Sequence, residues 1–349
     1  MDSYFGLDSK FVDSENIISK LNLLFRLERM DPYSTDSTLR ERIQISLQYI
    51  KPEYRQFALA LFANTVYFPE AFSKSVLQHL LNNLLFNYGI GWDNLGRQCL
   101  LLEQDPTGIV NDFLRTNNVH GRLDREVFPR TQQVSEFVKM AVRSVEDGNA
   151  SQIESVSAFL KREYWVVLVD NSLSGTSLIS DVKRLINLAN IGEYKPKKIV
   201  LLIRTLAEKA YKSIQCEFSD ELNNHFLEVY YGLYLDNRFV ITENNQEWDK
   251  CVFFNNTETY AGVVEACKWL TSQSEYINDP LLESQKANSI EDKQMTFGFR
   301  KCGLTFVSSE NCPSDSLPLL WYKLEGFYES PFPRVISRTG GRNDGDQSN

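Results

Sequence analysis

The sequence predicts an α/β fold on a parallel sheet, and three observations carry that expectation. Val166-Val167-Leu168-Val169, Ile199-Val200-Leu201-Leu202-Ile203 and Cys99-Leu100-Leu101-Leu102 are short runs that are apolar at every position. Such runs suit strands buried on both faces. Between the first two lies Leu178 to Ala189, where Leu178, Val182, Leu185, Ile186 and Ala189 fall on one helical face. Strand, helix and strand then form one βαβ unit. The alternation of strand and helix from Cys99 onward extends the pattern into an α/β domain.

Taken in order, the chain opens with helical signals. Ile17, Ile18, Leu21, Leu24, Phe25 and Leu27 recur at helical spacing after Asp13-Ser14, and Asp31-Pro32 ends the segment. Leu39 to Ile50, Tyr54 to Val66 and Phe72 to Phe86 read as three further amphipathic helices, punctuated by Pro52 and Pro69. These give a helical N-terminal region over 1–95, whose Phe, Tyr and Leu stripes suit a core more than a cofactor contact. Cys99 to Glu103 reads as a buried strand and Gln104-Asp105-Pro106-Thr107-Gly108 as a turn. Arg115, His120, Arg122, Arg125 and Arg130 follow, a local basic density suited to a pyrophosphate or equally to a solvated loop. Gln132 to Val145 reads as a helix, Phe226 to Tyr231 and Lys250 to Phe254 as strands, and Tyr260 to Leu270 as a helix. Asp279 to Asp292 is a polar excursion, and 337–349, rich in Gly, Asp and Asn, is expected to be disordered. The α/β domain is thus expected over 96–336.

Composition removes several function classes. A chain of 349 residues holds one large or two modest domains, and its net charge of −9 opposes non-specific binding to nucleic acid or an anionic membrane. Asp2, Asp8 and Asp13 interrupt any leader-like start, and no apolar run is long enough to span a bilayer, so a soluble cytoplasmic protein is expected. Six cysteines and three histidines are scattered without metal-ligand or disulfide spacing. There is no nucleophile elbow, Walker loop or His-Glu-x-x-His.

The chemistry concentrates where the first strand of the βαβ unit ends, in Asp170-Asn171-Ser172-Leu173-Ser174-Gly175-Thr176-Ser177. Ligands of open α/β sheets bind at the carboxyl ends of strands. Ser174, Thr176 and Ser177 supply hydroxyls, Gly175 lets a backbone come close, and the N–H groups opening the helix attract a phosphate monoester. Asp170 would accept hydrogen bonds from ribose hydroxyls. The same residues also suit an ordinary strand-to-helix turn capped by Ser and Thr.

This stretch resembles the 5-phosphoribosyl-1-pyrophosphate (PRPP) motif of type I phosphoribosyltransferases, in which an apolar strand runs into two acids and a Thr/Ser/Gly loop. The second acid is Asn171 here, and the loop is about one residue shorter, departures that speak for ligand binding more firmly than for turnover. At the other end, Asn311-Cys312-Pro313-Ser314-Asp315-Ser316-Leu317-Pro318-Leu319-Leu320-Trp321 and Pro331-Phe332-Pro333-Arg334 form a Pro-fixed extended path. The combination resembles phosphoribosyltransferase-like proteins of bacterial conflict systems, retron-associated members among them. That resemblance implies a type I phosphoribosyltransferase-like core, a PRPP or nucleotide ligand, magnesium at Asp170, and anti-phage defence beside a retron reverse transcriptase or another defence protein. In it Asp170 and Asn171 hold the catalytic position, the Ser174–Ser177 loop takes the 5-phosphate, and Arg115 and Arg334 answer further phosphates. Alternatives from other classes are a non-catalytic nucleotide sensor and a partner-binding protein with a degenerate pocket.

Overall fold

A computed structural model describes residues 39–105, 108–119, 133–146, 156–191, 195–243, 257–273, 276, 295–308, 312–324 and 326–333. In chain order the elements are α1 (Leu39–Tyr49), α2 (Pro52–Ala63), β1 (Val66–Phe68), α3 (Glu70–Tyr88), β2 (Cys99–Glu103), α4 (Ile109–Thr116) and α5 (Val134–Glu146). There follow β3 (Tyr164–Ser172), α6 (Thr176–Ile191), β4 (Lys198–Ala207), α7 (Glu208–Glu217), β5 (Leu227–Leu235) and α8 (Thr257–Thr271). The chain then runs through β6 (Phe306–Ser308), β7 (Lys323–Leu324) and β8 (Tyr328–Glu329). The expected helix after Ser14, the strand over 250–254, the excursion over 279–292 and the tail over 337–349 lie outside the described residues.

The chain forms two compact units, Ala71 to Arg238 and a discontinuous one joining the residues up to Glu70 to those from Phe239 onward. A boundary at residue 95 therefore does not match the contacts. α3 belongs with the sheet, and the residues following Arg238 belong with α1 and α2. The physical reason is packing: an apolar stripe does not announce its partner in sequence, and Leu77, Leu80, Leu81 and Leu84 of α3 bury themselves against Cys99, Leu101, Val166 and Leu168.

The sheet of the first unit has the order β2-β3-β4-β5, every pair parallel. Side chains alternate between its faces. Leu100, Leu102, Trp165, Val167, Val169, Ile199, Leu201 and Ile203 face α5, α6 and α7. Cys99, Leu101, Tyr164, Val166, Leu168, Val200 and Leu202 face α3 and α4. With both faces covered, these strands carry the continuous apolar runs that mark parallel sheets. At Gly232 of β5 an added Cβ would stand 2.1 Å from Val76 Cγ1, so α3 lies close on that strand.

The other unit is held by α1, α2, α8 and the terminal segment. Leu39, Ile43 and Leu47 repeat every four residues on α1 and are buried with Phe62, Tyr260 and Val263. Arg42 Nε donates to Pro331 O at 2.8 Å, and Ser46 Oγ donates to Glu329 O, so α1 is tied to the backbone of residues 329–331. β1 pairs in parallel with β6. Trp321 is 1% exposed and donates its Nε1–H to Ser316 O at 2.8 Å, which makes it a core residue. Pro318 opens its helical turn at a position where no N–H is needed. Among the described residues no helix is long and apolar enough to cross a membrane.

Candidate functional site

The site begins at the carboxyl end of β3. This strand does not stop at Val169: it continues through Asp170, Asn171 and Ser172, because β4 runs beside it to Ala207, with Asn171 opposite Thr205 and Ser172 opposite Leu206. Asp170 and Asn171, expected to lie where the strand ends, are thus corrected to strand. Alternation sends Asp170 to the face of Val166 and Leu168, and Asn171 to that of Val167 and Val169.

Asp170 meets a residue that sequence reading had left outside the strand. Arg204, 2% exposed on the neighbouring β4, places Nη2 on Asp170 Oδ1 in an ion pair and donates from Nη1 to Ser73 Oγ of α3 at 2.6 Å. The signal was present: Arg204 is the one charge within the apolar span Ile199 to Ala207, and a buried charge calls for an opposite one. On the other face, Asn171 Oδ1 and Thr205 Oγ1 are buried without a hydrogen-bond partner among the described residues. The two residues stand side by side in the ladder, and each retains capacity for a polar ligand.

The loop then turns into α6. Gly175 has φ +82°, the left-handed region where glycine carries no penalty, and a Cβ there would lie 3.1 Å from Ala210 Cα and 3.3 Å from Ala210 Cβ. Glycine is therefore required by the turn and by packing against α7, in addition to any close approach of a phosphate. Gly175→Val should cost about 1 to 2 kcal/mol from backbone conformation alone, with the contact against Ala210 adding to it. Denaturant unfolding checks this, and an unchanged midpoint would contradict it.

Helix α6 starts at Thr176, two residues before the expected Leu178, with Ile179 N–H donating to Gly175 O at 2.9 Å as its first bond. The amides of Thr176, Ser177 and Leu178 precede that bond and have no partner in the helical ladder. The first turn contains no acidic residue. Thr176 and Ser177 are exposed and Ser174 is half-buried. Leu178, Val182, Leu185 and Ala189 are buried as expected, whereas Ile186 is only partly so.

One strand away the chemistry differs. β2 ends in Glu103, 7% exposed, whose carboxyl is influenced by the backbone amides of Gly108 and Val110 at the start of α4. Its Oε2 has no hydrogen-bond partner among the described residues. Burial pushes the Glu103 carboxyl up, the two amides pull it down, and Asp105 adds a further push, with a raised value as the result. Folded protein therefore binds this proton more tightly than unfolded chain. The stability linked to it is full below the ordinary value of 4.5 and is lost as pH rises through the folded value. Glu103→Gln should flatten that part of a stability-versus-pH curve measured by denaturation; an unaltered slope would contradict it.

Asp181, in the second turn of α6, is buried and its carboxyl is likewise raised, by burial first, against the pull of Arg184, with Asp105 pushing it further. Arg184 Nη1 pairs with it at 3.0 Å. Arg115 sits in the last turn of α4, away from the strand end, and pairs with Asp112 of the same helix. That position and pairing set it apart from the α6 opening. Arg334, with Arg122, Arg125 and Arg130, lies outside the described residues, and so do Pro106 and Thr107 of the turn after β2.

The resemblance places magnesium at Asp170. The ion prefers carboxylate oxygens in octahedral array, but Asp170 is engaged by Arg204 and Asn171 offers a neutral amide. Among the described residues no group of three or more His, Cys, Asp or Glu side chains could hold a metal. Asp170 and Asn171 alone are thus a weak donor pair for magnesium.

The loops after β2 and β3 lead to helices on opposite faces, α4 and α6, the topology that in open α/β sheets places a ligand crevice at the carboxyl edge between two strands. Parallel sheet, strand-end Asp170-Asn171 and hydroxyl loop together describe a phosphoribosyltransferase-like α/β protein. The chain belongs to the PRTase-CE family, whose model matches residues 48–334. No curated protein and no solved structure matches it.

Proposed function

We propose that the crevice binds a ribose carrying a 5-phosphate, in PRPP or a related nucleotide. The observation that carries this reading is the opening of α6: three amides ahead of the first helical bond, two exposed hydroxyls and no acid in the first turn. Such a helix end attracts a phosphate through its amides and its dipole. Asn171 Oδ1 and Thr205 Oγ1 supply the neighbouring polar contacts for ribose hydroxyls. Transfer at the anomeric carbon is the reaction that the family resemblance suggests.

The pairing of Asp170 with Arg204 favours a second reading, a non-catalytic sensor that holds the same ligand and signals to a partner. In both readings the protein acts in the cytoplasm, in bacterial anti-phage defence. The resemblance of the Asn311 to Arg334 signature supports a retron reverse transcriptase, or another defence-system protein, as partner. Thermal melting with ribose 5-phosphate, PRPP and a nucleotide panel tests the ligand, because a molecule that binds only native protein raises its melting temperature. Pyrophosphate release then separates enzyme from sensor. No shift with any 5-phosphorylated ribose would refute the reading and favour a partner-binding protein.

A further inference from the structure

We infer that β5 is a docking edge for a second copy of this chain: two β5 strands pair antiparallel about a twofold axis at Tyr231 and join their sheets into one. β5 is the outer strand of the order β2-β3-β4-β5. Over its nine residues, Leu227–Leu235, it pairs with β4, and among the described residues its other side meets no backbone partner. The helices leave this edge open. β4 is buried from Ile199 to Ala207, whereas Glu228 to Tyr234 of β5 are partly exposed, Tyr231 by 40%. Natural proteins guard long edges with Lys, Pro, a bulge or a covering segment. β5 has no Lys and no Pro, and its register with β4 runs from Ile199–Leu227 to Ala207–Leu235 without an inserted residue.

The backbone sets the pairing. Ile199 N–H donates to Phe226 O at 2.8 Å, so the even-numbered residues of β5 turn their N–H and C=O groups toward β4. Successive residues of a strand point these groups to opposite sides, so Leu227, Val229, Tyr231, Leu233 and Leu235 turn theirs outward. Antiparallel pairing about Tyr231 sets Leu227 against Leu235, Val229 against Leu233 and Tyr231 against its own copy. Every outward group then meets an outward group, in the hydrogen-bonded pairs of an antiparallel ladder. This symmetric register is the one that uses all nine residues.

The side chains agree with it. Aliphatic residues face aliphatic residues, and Tyr231, whose ring lies 6.2 Å from that of Tyr211 on α7 and 5.3 Å from that of Tyr234, gains the second Tyr231 across the axis. Charge is compatible as well. Glu228 is the one charged residue of β5, and Lys198, Tyr88 and Tyr230 of its own chain already hold it. In this register it faces Tyr234 of the copy instead of another acid, so no like charges meet. Because the same strand serves both partners, the contact closes with two copies.

Sedimentation equilibrium of the full chain over a range of concentrations is the test. The dimer should appear at twice the single-chain mass of 40.3 kDa and dissociate on dilution. Tyr231→Lys brings two cations together at the axis, and Tyr231→Pro removes an outward N–H that the chain itself does not use, a change that edge strands tolerate. Both variants should sediment at the single-chain mass with the circular dichroism of wild type. Hydrogen exchange on wild-type protein serves if either variant fails to fold. The outward amides of Val229, Tyr231 and Leu233 should exchange about tenfold or more slowly in a concentrated sample than in a dilute one, while those of Glu228 and Tyr230, bonded to β4, stay as they are. A single-chain mass at the highest concentration reached would overturn the proposal. So would a dimer that persists in both folded variants, or outward amides that exchange equally fast at both concentrations.

Discussion

Asp170→Ala is expected to destabilise the protein by about 3 to 5 kcal/mol, the cost of breaking a buried ion pair by removing one partner. Arg204 is 2% exposed and lies beside Asp170 between the register pairs Val169–Ile203 and Asn171–Thr205. Its guanidinium reaches Asp170 with one nitrogen and Ser73 of α3 with another. Removal of the carboxylate takes a negative charge away from a cation held between the sheet and α3, where water cannot solvate it well. Asp170→Asn keeps the shape but loses the charge, so it should be destabilised in the same direction. The double variant Asp170→Leu, Arg204→Met should recover much of the loss, because neither desolvated charge remains. Denaturant unfolding reads all three through the midpoint at unchanged slope. A loss under about 1 kcal/mol for Asp170→Ala would match a surface pair and contradict this role. The same logic makes Asp170 a poor probe of ligand binding, since a lost activity would be inseparable from a loosened sheet.

How far the sequence could be read depended on which residues faced which neighbours. Cys99 to Leu102, Val166 to Val169 and Ile199 to Ile203 were legible as strands because burial on both faces leaves them apolar at every position. Their ends were not legible. Asp170, Asn171, Arg204 and Thr205 look like turn residues, yet the ladder between β3 and β4 holds them extended. The division into units was illegible for a related reason. The Leu77 to Leu85 stripe of α3 looks like that of α1, but the first packs on the sheet and the second on residues from the far end of the chain.

In the site, the hydroxyl loop was legible from composition, while the rationale for its glycine was not, since Ala210 comes near only once α7 has folded back. Glu103 and Arg204 were missed because each sits at or beyond the apparent end of an apolar run. The terminal path was read as extended, yet Pro318 to Trp321 form a short helical turn, and Leu317, Leu319, Leu320, Trp321 and Phe332 are all buried in the core of their own unit.

The central claim, that the opening of α6 receives a phosphate, is tested most directly by Ser177→Asp. An acid in the first turn of a helix interacts favourably with its dipole and free amides, and typically adds about 0.3 to 1 kcal/mol of stability. The same carboxylate occupies the donors that a phosphate would use and repels its charge. Because Ser177 is exposed, the change disturbs no packing. Melting temperature and calorimetric affinity for ribose 5-phosphate should therefore move in opposite directions, the fold holding or gaining while affinity falls by about a hundredfold or more. A variant that melts no earlier than wild type and still binds ribose 5-phosphate with undiminished affinity would show that the phosphate does not sit on α6.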